Sequence, residues 1–120
     1  MSEPSTKPDL DNDVKRQREA VDKLLARTPV AGTGQVTLAS GKRLDYELNA
    51  TFMPVTLGGI DAQRGEPQAA VFCIAYTVPS DKPRPLCFAF NGGPGSASVW
   101  LHLGALGPKR VAIHDDGTMP

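Results

Sequence analysis

The sequence lacks a surplus of charge of either sign, is poor in cysteine, and has no long apolar run. Thirteen Lys and Arg residues are matched by thirteen Asp and Glu, leaving no net charge at pH 7. Binding to nucleic acid or to an anionic membrane through net charge needs excess cations to displace counterions, so neither partner is expected. The clusters KRQR (15–18) and PKR (108–110) are too short to reverse this and read as solvated surface. No apolar stretch nears the roughly 20 residues that a membrane-crossing helix requires. The N-terminus MSEPSTKPDLDNDVKRQREA is polar throughout and carries no recognisable secretory signal, which leaves the cellular compartment open. The two cysteines, Cys73 and Cys87, lie in apolar runs without metal-ligand spacing and read as small buried hydrophobes. His102 and His114 have no third ligand at a sensible spacing, so no metal is expected.

Against these absences stand changes of hydrophobic period along the chain. A length of 120 residues allows at most one modest domain. Residues 1–10, with Pro4 and Pro8 among polar neighbours, are expected to be disordered. A helix is expected from about Asp11, capped by Asp11, Asn12 or Asp13, with Val14, Val21, Leu24 and Leu25 as its apolar stripe. Pro29 and AGTG (31–34) close that segment, making 11–34 a helix and linker. From Gln35 the period becomes two. A turn at Ser40–Gly41 precedes Leu44, Tyr46, Leu48, Ala50 and Phe52, which alternate with polar residues as in a half-buried antiparallel strand. Gly58, Gly59 and the polar residues 61–68 form a connection. AAVFCIAYTV (69–78) reads as a strand of the kind found inside a sheet, and LCFAF (86–90) as a short apolar strand. A helix is expected from about Ser96, capped by Ser96 or Ser98 and stopped by Gly107–Pro108, followed by an extended segment over 110–116. No helix follows that segment to cover it, so residues 35–120 are expected to be the first part of a larger α/β domain.

The stretch FAFNGGPGSASVW (88–100) carries the chemistry. Glycine reaches positive φ at low cost and leaves its amide unshielded by a Cβ. Asn91, Gly92 and Gly93 therefore offer successive bare N–H donors, while Pro94 stiffens the loop. Rigid converging donors suit an oxyanion, and they equally suit a phosphate. GPGSAS (93–98) fits G-x-G-x-x-S, and Asp115 lies about 20 residues further on, as a dinucleotide fold requires for its ribose. The third glycine of that fingerprint is missing and a proline interrupts it. A P-loop fits less well still, because no Gly-Lys-Ser/Thr follows.

The segment FAFNGGPGSASVWLHLGALGPKR resembles the NGGPG-x-S-S region of the serine carboxypeptidases, particularly their bacterial members. The likeness runs from about Gly34 to Pro120, and its specific core is Asn91–Gly95 with Ser98. It implies an α/β-hydrolase: antiparallel strands first, then a strand, an oxyanion loop and a helix, here preceded by an N-terminal helix. It also implies a Ser-Asp-His triad that hydrolyses the C-terminal bond of a peptide or protein substrate without a cofactor. Carried onto this sequence, the Gly93 amide is half of the oxyanion hole. The Asn91 side chain and the Gly92 amide grip the substrate's terminal carboxylate.

Three positions depart from the family's pattern. Ala89 stands where a tryptophan is common, Ser96 where eukaryotic members have a cysteine, and Ala97–Ser98 replaces the usual serine pair. No G-x-S-x-G occurs, so the nucleophile, its acidic neighbour and the rest of the triad are expected downstream. A local triad from Ser98, His102, His114 and Asp115 has no rigid elbow to position its serine. In the implied fold the strands of Cys73 and Cys87 are separated by another strand, so no bridge is expected. The same family chemistry also serves acyl transfer and cyanohydrin cleavage. The alternative from a different class is a dinucleotide-binding module using residues 93–98 and Asp115.

Overall fold

A computed structural model describes residues 7–57, 65–93 and 95–120, which divide into a unit ending at Pro79 and a second unit, Ser80–Pro120. The first unit holds helix α1 (Lys7–Leu25) and strands β1 (Val30–Thr37), β2 (Arg43–Thr56) and β3 (Pro67–Thr77). The strands form one antiparallel sheet in the order β1-β2-β3. The architecture is thus an N-terminal helix followed by a three-stranded antiparallel sheet, of mixed α/β character.

α1 begins at Lys7, ahead of the cap expected at residues 11–13; of the stretch assigned to disorder, 7–10 are helical and 1–6 lie outside the described residues. Val21, Leu24 and Leu25 are half-buried, whereas Val14 stays exposed, so the apolar stripe is used only in its C-terminal half. α1 runs against β3 and β2. The Arg18 guanidinium meets the Glu66 carboxylate at 2.6 Å, tying the helix to the residue just before β3. Both groups are largely exposed, so the pair orients more than it stabilises.

AGTG, expected in a linker, lies inside β1. Two small residues tolerate this because the neighbouring strand supplies the bulk. Gly34 pairs with Tyr46, and a Cβ at Gly34 would overlap the end of the Tyr46 ring. The absent side chain leaves room for that ring, and Tyr46 is the one buried hydrophobic residue among those described, 8% exposed. The hairpin turn falls at Ser40–Gly41 as expected, closed by the Leu38 N–H to the Lys42 carbonyl and the Gly41 N–H to the Leu38 carbonyl, each 2.8 Å.

β2 behaves as its alternation predicts: Leu44, Leu48, Ala50 and Phe52 are half-buried and Tyr46 is buried. Across the sheet their partners include Tyr76 opposite Leu48 and Phe72 opposite Phe52. Tyr46 meets Tyr76 diagonally, edge to face, with centroids 5.5 Å apart; Phe52 and Phe72 are 5.2 Å apart. Such pairs add to area burial, roughly 0.5–1.5 kcal/mol each. Burial first, and the neighbouring Tyr46 phenol second, push the Tyr76 hydroxyl above its ordinary value. On the opposite face Gln35 bridges two charged neighbours, donating to Asp45 and accepting from Arg43.

β3 is where expectation and structure part. Its apolar run suggested an interior strand, yet among the described residues it pairs with β2 alone and is a sheet edge. Val71 and Phe72, on opposite faces of the strand, are both exposed. The β2–β3 register slips between Val55 and Thr56, leaving Gln68 as the extra residue of a bulge, with Pro67 at the strand's start, where its missing N–H is tolerated. Of the connection expected over 58–68, residues 58–64 lie outside the described residues, and 67–68 belong to β3.

In the second unit the short strand expected over 86–90 does not form. LCFAF (86–90) has no ladder partner among the described residues, and Leu86, Phe88 and Phe90 are exposed, Phe88 at 79%. Residues 110–116 likewise form no ladder. Apolar, β-branched or aromatic composition favours a strand only when a neighbour can accept its hydrogen bonds. The helix is present but short and widened: one α-turn, α2 (Val99–Leu101), followed by a π-helical turn, His102–Leu106. It stops at Gly107, whose backbone is extended and whose N–H reaches the His102 carbonyl at 2.8 Å.

Candidate functional site

The Gly-rich loop occupies residues 91–98, immediately before α2. Asn91 is half-buried, and Gly92 and Gly93 are exposed. Gly93 and Gly95 have φ of 79° and 83°. L-residues reach that region only with strain, so the sequence needs glycine at both. The Ser96 N–H approaches the Gly93 carbonyl at 3.4 Å, closing a turn over 93–96. Its sequence, proline second and glycine third, is the combination that a type II turn prefers. Pro94 itself, expected to stiffen the loop, lies outside the described residues.

Ser98 holds the N-cap position that the sequence suggested, but its side chain does not cap. Its Oγ instead accepts the Asn91 backbone N–H at 3.0 Å, and its carbonyl accepts the His102 N–H at 2.9 Å. One residue therefore closes the loop through its side chain and starts the helix through its backbone. Nothing in the spacing signals this contact, because a serine beside a helix start reads as a cap first. The hydroxyl's competing habit of serving nearby backbone was the one available clue.

Among the described residues no hydrogen bond engages the N–H groups of Gly92 or Gly93. Exposed, unshielded donors at a fixed backbone conformation can receive an anionic oxygen. Asn91, Gly92 and Gly93, the three residues singled out from the sequence, are consecutive and open the loop.

The dinucleotide geometry is not assembled. Asp115 does not end a strand; it lies in a turn closed by the His114 N–H to the Thr118 carbonyl and the Gly117 N–H to the His114 carbonyl, each 2.8 Å. In that turn Asp116 accepts from the Thr118 N–H (2.9 Å) and hydroxyl (2.7 Å), and these two bonds hold its carboxyl below the ordinary carboxylate value.

Both cysteines are free thiols, Cys73 half-buried and Cys87 exposed, so the expected burial is only partly met. Among the described residues no cluster of three or more His, Cys, Asp or Glu could hold a metal. No described helix is long and apolar enough to cross a membrane. Comparisons with protein-family models, with curated proteins and with solved structures gave no match to this chain.

Proposed function

We propose that the chain is the N-terminal part of a serine carboxypeptidase-like α/β-hydrolase and that its Gly-rich loop serves the acyl-transfer step. In this reading a downstream serine attacks the last peptide carbonyl of the substrate and passes its proton to the downstream histidine. The histidine gives it to the departing amino acid's nitrogen as the C–N bond breaks. During the attack the carbonyl π-electrons move onto the carbonyl oxygen, and the Gly93 N–H, with the amide following that serine, receives the developing charge. The Asn91 side-chain amide and the Gly92 N–H donate to the substrate's terminal carboxylate, which selects free C-termini.

The observation that carries the reading is the loop itself: NGGPG held with Gly93 and Gly95 at positive φ, its Gly92 and Gly93 amides exposed. The deciding experiment uses the protein expressed from its complete reading frame and a blocked dipeptide with a free carboxylate. Hydrolysis is expected, with the C-terminally amidated analogue much poorer. Asn91→Ala should raise KM for the free acid by about tenfold or more, the cost of one hydrogen bond to a charged group. Equal rates on acid and amide would overturn the carboxylate assignment. The 120-residue chain alone should be inactive; hydrolysis by it, abolished by a serine-directed phosphonate, would place the nucleophile here instead.

A further inference from the structure

Ser98 is the residue whose role the sequence hides. We propose that it is a positioning residue: its hydroxyl clamps the two ends of the Gly-rich loop and so fixes where the donors of Asn91, Gly92 and Gly93 point. The inference rests on the proposed function for its catalytic meaning, but the clamp is a geometric matter that can be tested separately.

Two closures are nested in the loop. The outer one joins the Asn91 N–H to Ser98 Oγ at 3.0 Å, and the inner one joins the Ser96 N–H to the Gly93 carbonyl at 3.4 Å. The inner bond is long, near the limit at which such a contact retains strength. The outer bond therefore sets the span between the start of the loop and the start of α2. It engages the backbone of Asn91, leaving that residue's side-chain amide available to a ligand. Ser98 is itself anchored, because its carbonyl takes the His102 N–H. The clamp thus connects the loop to the helical turn.

The same contact counts against Ser98 as a nucleophile. One of its lone pairs is already committed to a backbone donor, and no elbow presents the oxygen to a substrate. Its contribution is to geometry, where a displacement of about 1 Å can cost as much as 100-fold in rate.

The test uses the protein from its complete reading frame, with Ser98→Ala, Ser98→Thr and Ser98→Val. Hydrogen exchange resolved to single residues by mass spectrometry reads the Asn91 amide. Exchange is expected to quicken about fivefold in Ala and Val, the loss of one ordinary hydrogen bond, and to stay near wild type in Thr. Thr and Val have the same shape and differ by the oxygen, so this pair decides the matter even where Ala fails to fold. Unchanged exchange in Val, or equal quickening in Thr and Val, overturns the clamp. On the free-acid dipeptide, Ala and Val should lower kcat by about 10-fold or more through Gly93 and raise KM through Asn91 and Gly92, and Thr should restore both. A fall in kcat shared by Thr and Val would overturn the positioning role. Absence of any peptidase activity, with Asn91 exchange still obeying the Thr–Val difference, would sink the proposed function while the clamp stands.

Discussion

The two units of this chain obey the same chemistry with opposite results. Residues up to Pro79 convert an alternating sequence into paired strands, because each strand's partner follows it within a few tens of residues. Residues 80–120 contain segments as apolar, yet LCFAF and 110–116 form no ladder among the described residues. What orders the second unit is local: the Asn91–Ser98 bond, one short helical stretch, the Val111 N–H to the Leu103 carbonyl at 3.0 Å, and the turn at 114–118. A sheet face is secured by many cooperating contacts, whereas a loop is secured by a few bonds that can be removed singly.

Substitutions can sharpen that contrast. The largest effect is expected at Tyr46→Ala, which removes the buried ring of the sheet and should cost about 3 kcal/mol or more in urea unfolding. Gly34→Val drives a side chain into that same ring and should cost about 1–3 kcal/mol. In the second unit Gly95→Ala forces an L-residue to φ near 83°, with a cost of about 1–2 kcal/mol confined to the loop. It should quicken amide exchange over 91–98 without altering exchange in β2. Phe88→Ser is expected to shift unfolding by no more than about 0.5 kcal/mol, since the ring is already in solvent. A much larger loss there would mean that Phe88 is covered, and would break the contrast.

The pH response should separate the units further, with the smallest amplitudes. Tyr76 has a raised folded value, so its contribution is whole below the ordinary 10.0 and is lost as pH rises through the raised value. Asp116 has a lowered folded value, so its contribution is whole above the ordinary 3.8 and is lost as pH falls through the lowered value. Alkali should therefore loosen the β2–β3 pairing first, and acid the 114–118 turn. Exchange at Tyr76 and at Thr118, followed from pH 2 to 11, reads both limbs; protection of Thr118 that is unchanged in acid would remove Asp116 from the account.

Much of the first unit was legible in the sequence. The period-two pattern from Leu44 to Phe52 located β2 and its inner face, and Ser40–Gly41 located the turn. Propensity alone misplaced AGTG: glycines read as a linker until the Tyr46 ring that occupies their vacant space is known. β3 was read as interior because its composition is uniform, but position in a sheet depends on how many neighbours accept its hydrogen bonds. In the loop, the glycines showed that positive φ was open to the backbone, but not where it would be used. The proline after Gly93 favours extended backbone there, and the structure has φ of 79° instead. The Ser98 contact was not legible, since two rival uses of one hydroxyl look alike along the chain and only three-dimensional spacing chooses between them.

The unequal lengths of the first two strands have one more consequence. β1 pairs with β2 only as far as Ala50, so among the described residues, 51–56 of β2 run on with a ladder to β3 on one side alone. A one-sided stretch of this kind is where stray chains add themselves and where aggregation begins. Midway along it stands Pro54, opposite Ala70. An incoming strand would meet there a residue with no N–H to offer, and a break in the ladder it was trying to extend. The proline in this long strand thus removes one hydrogen-bond donor from β2 at the stretch that β1 leaves uncovered.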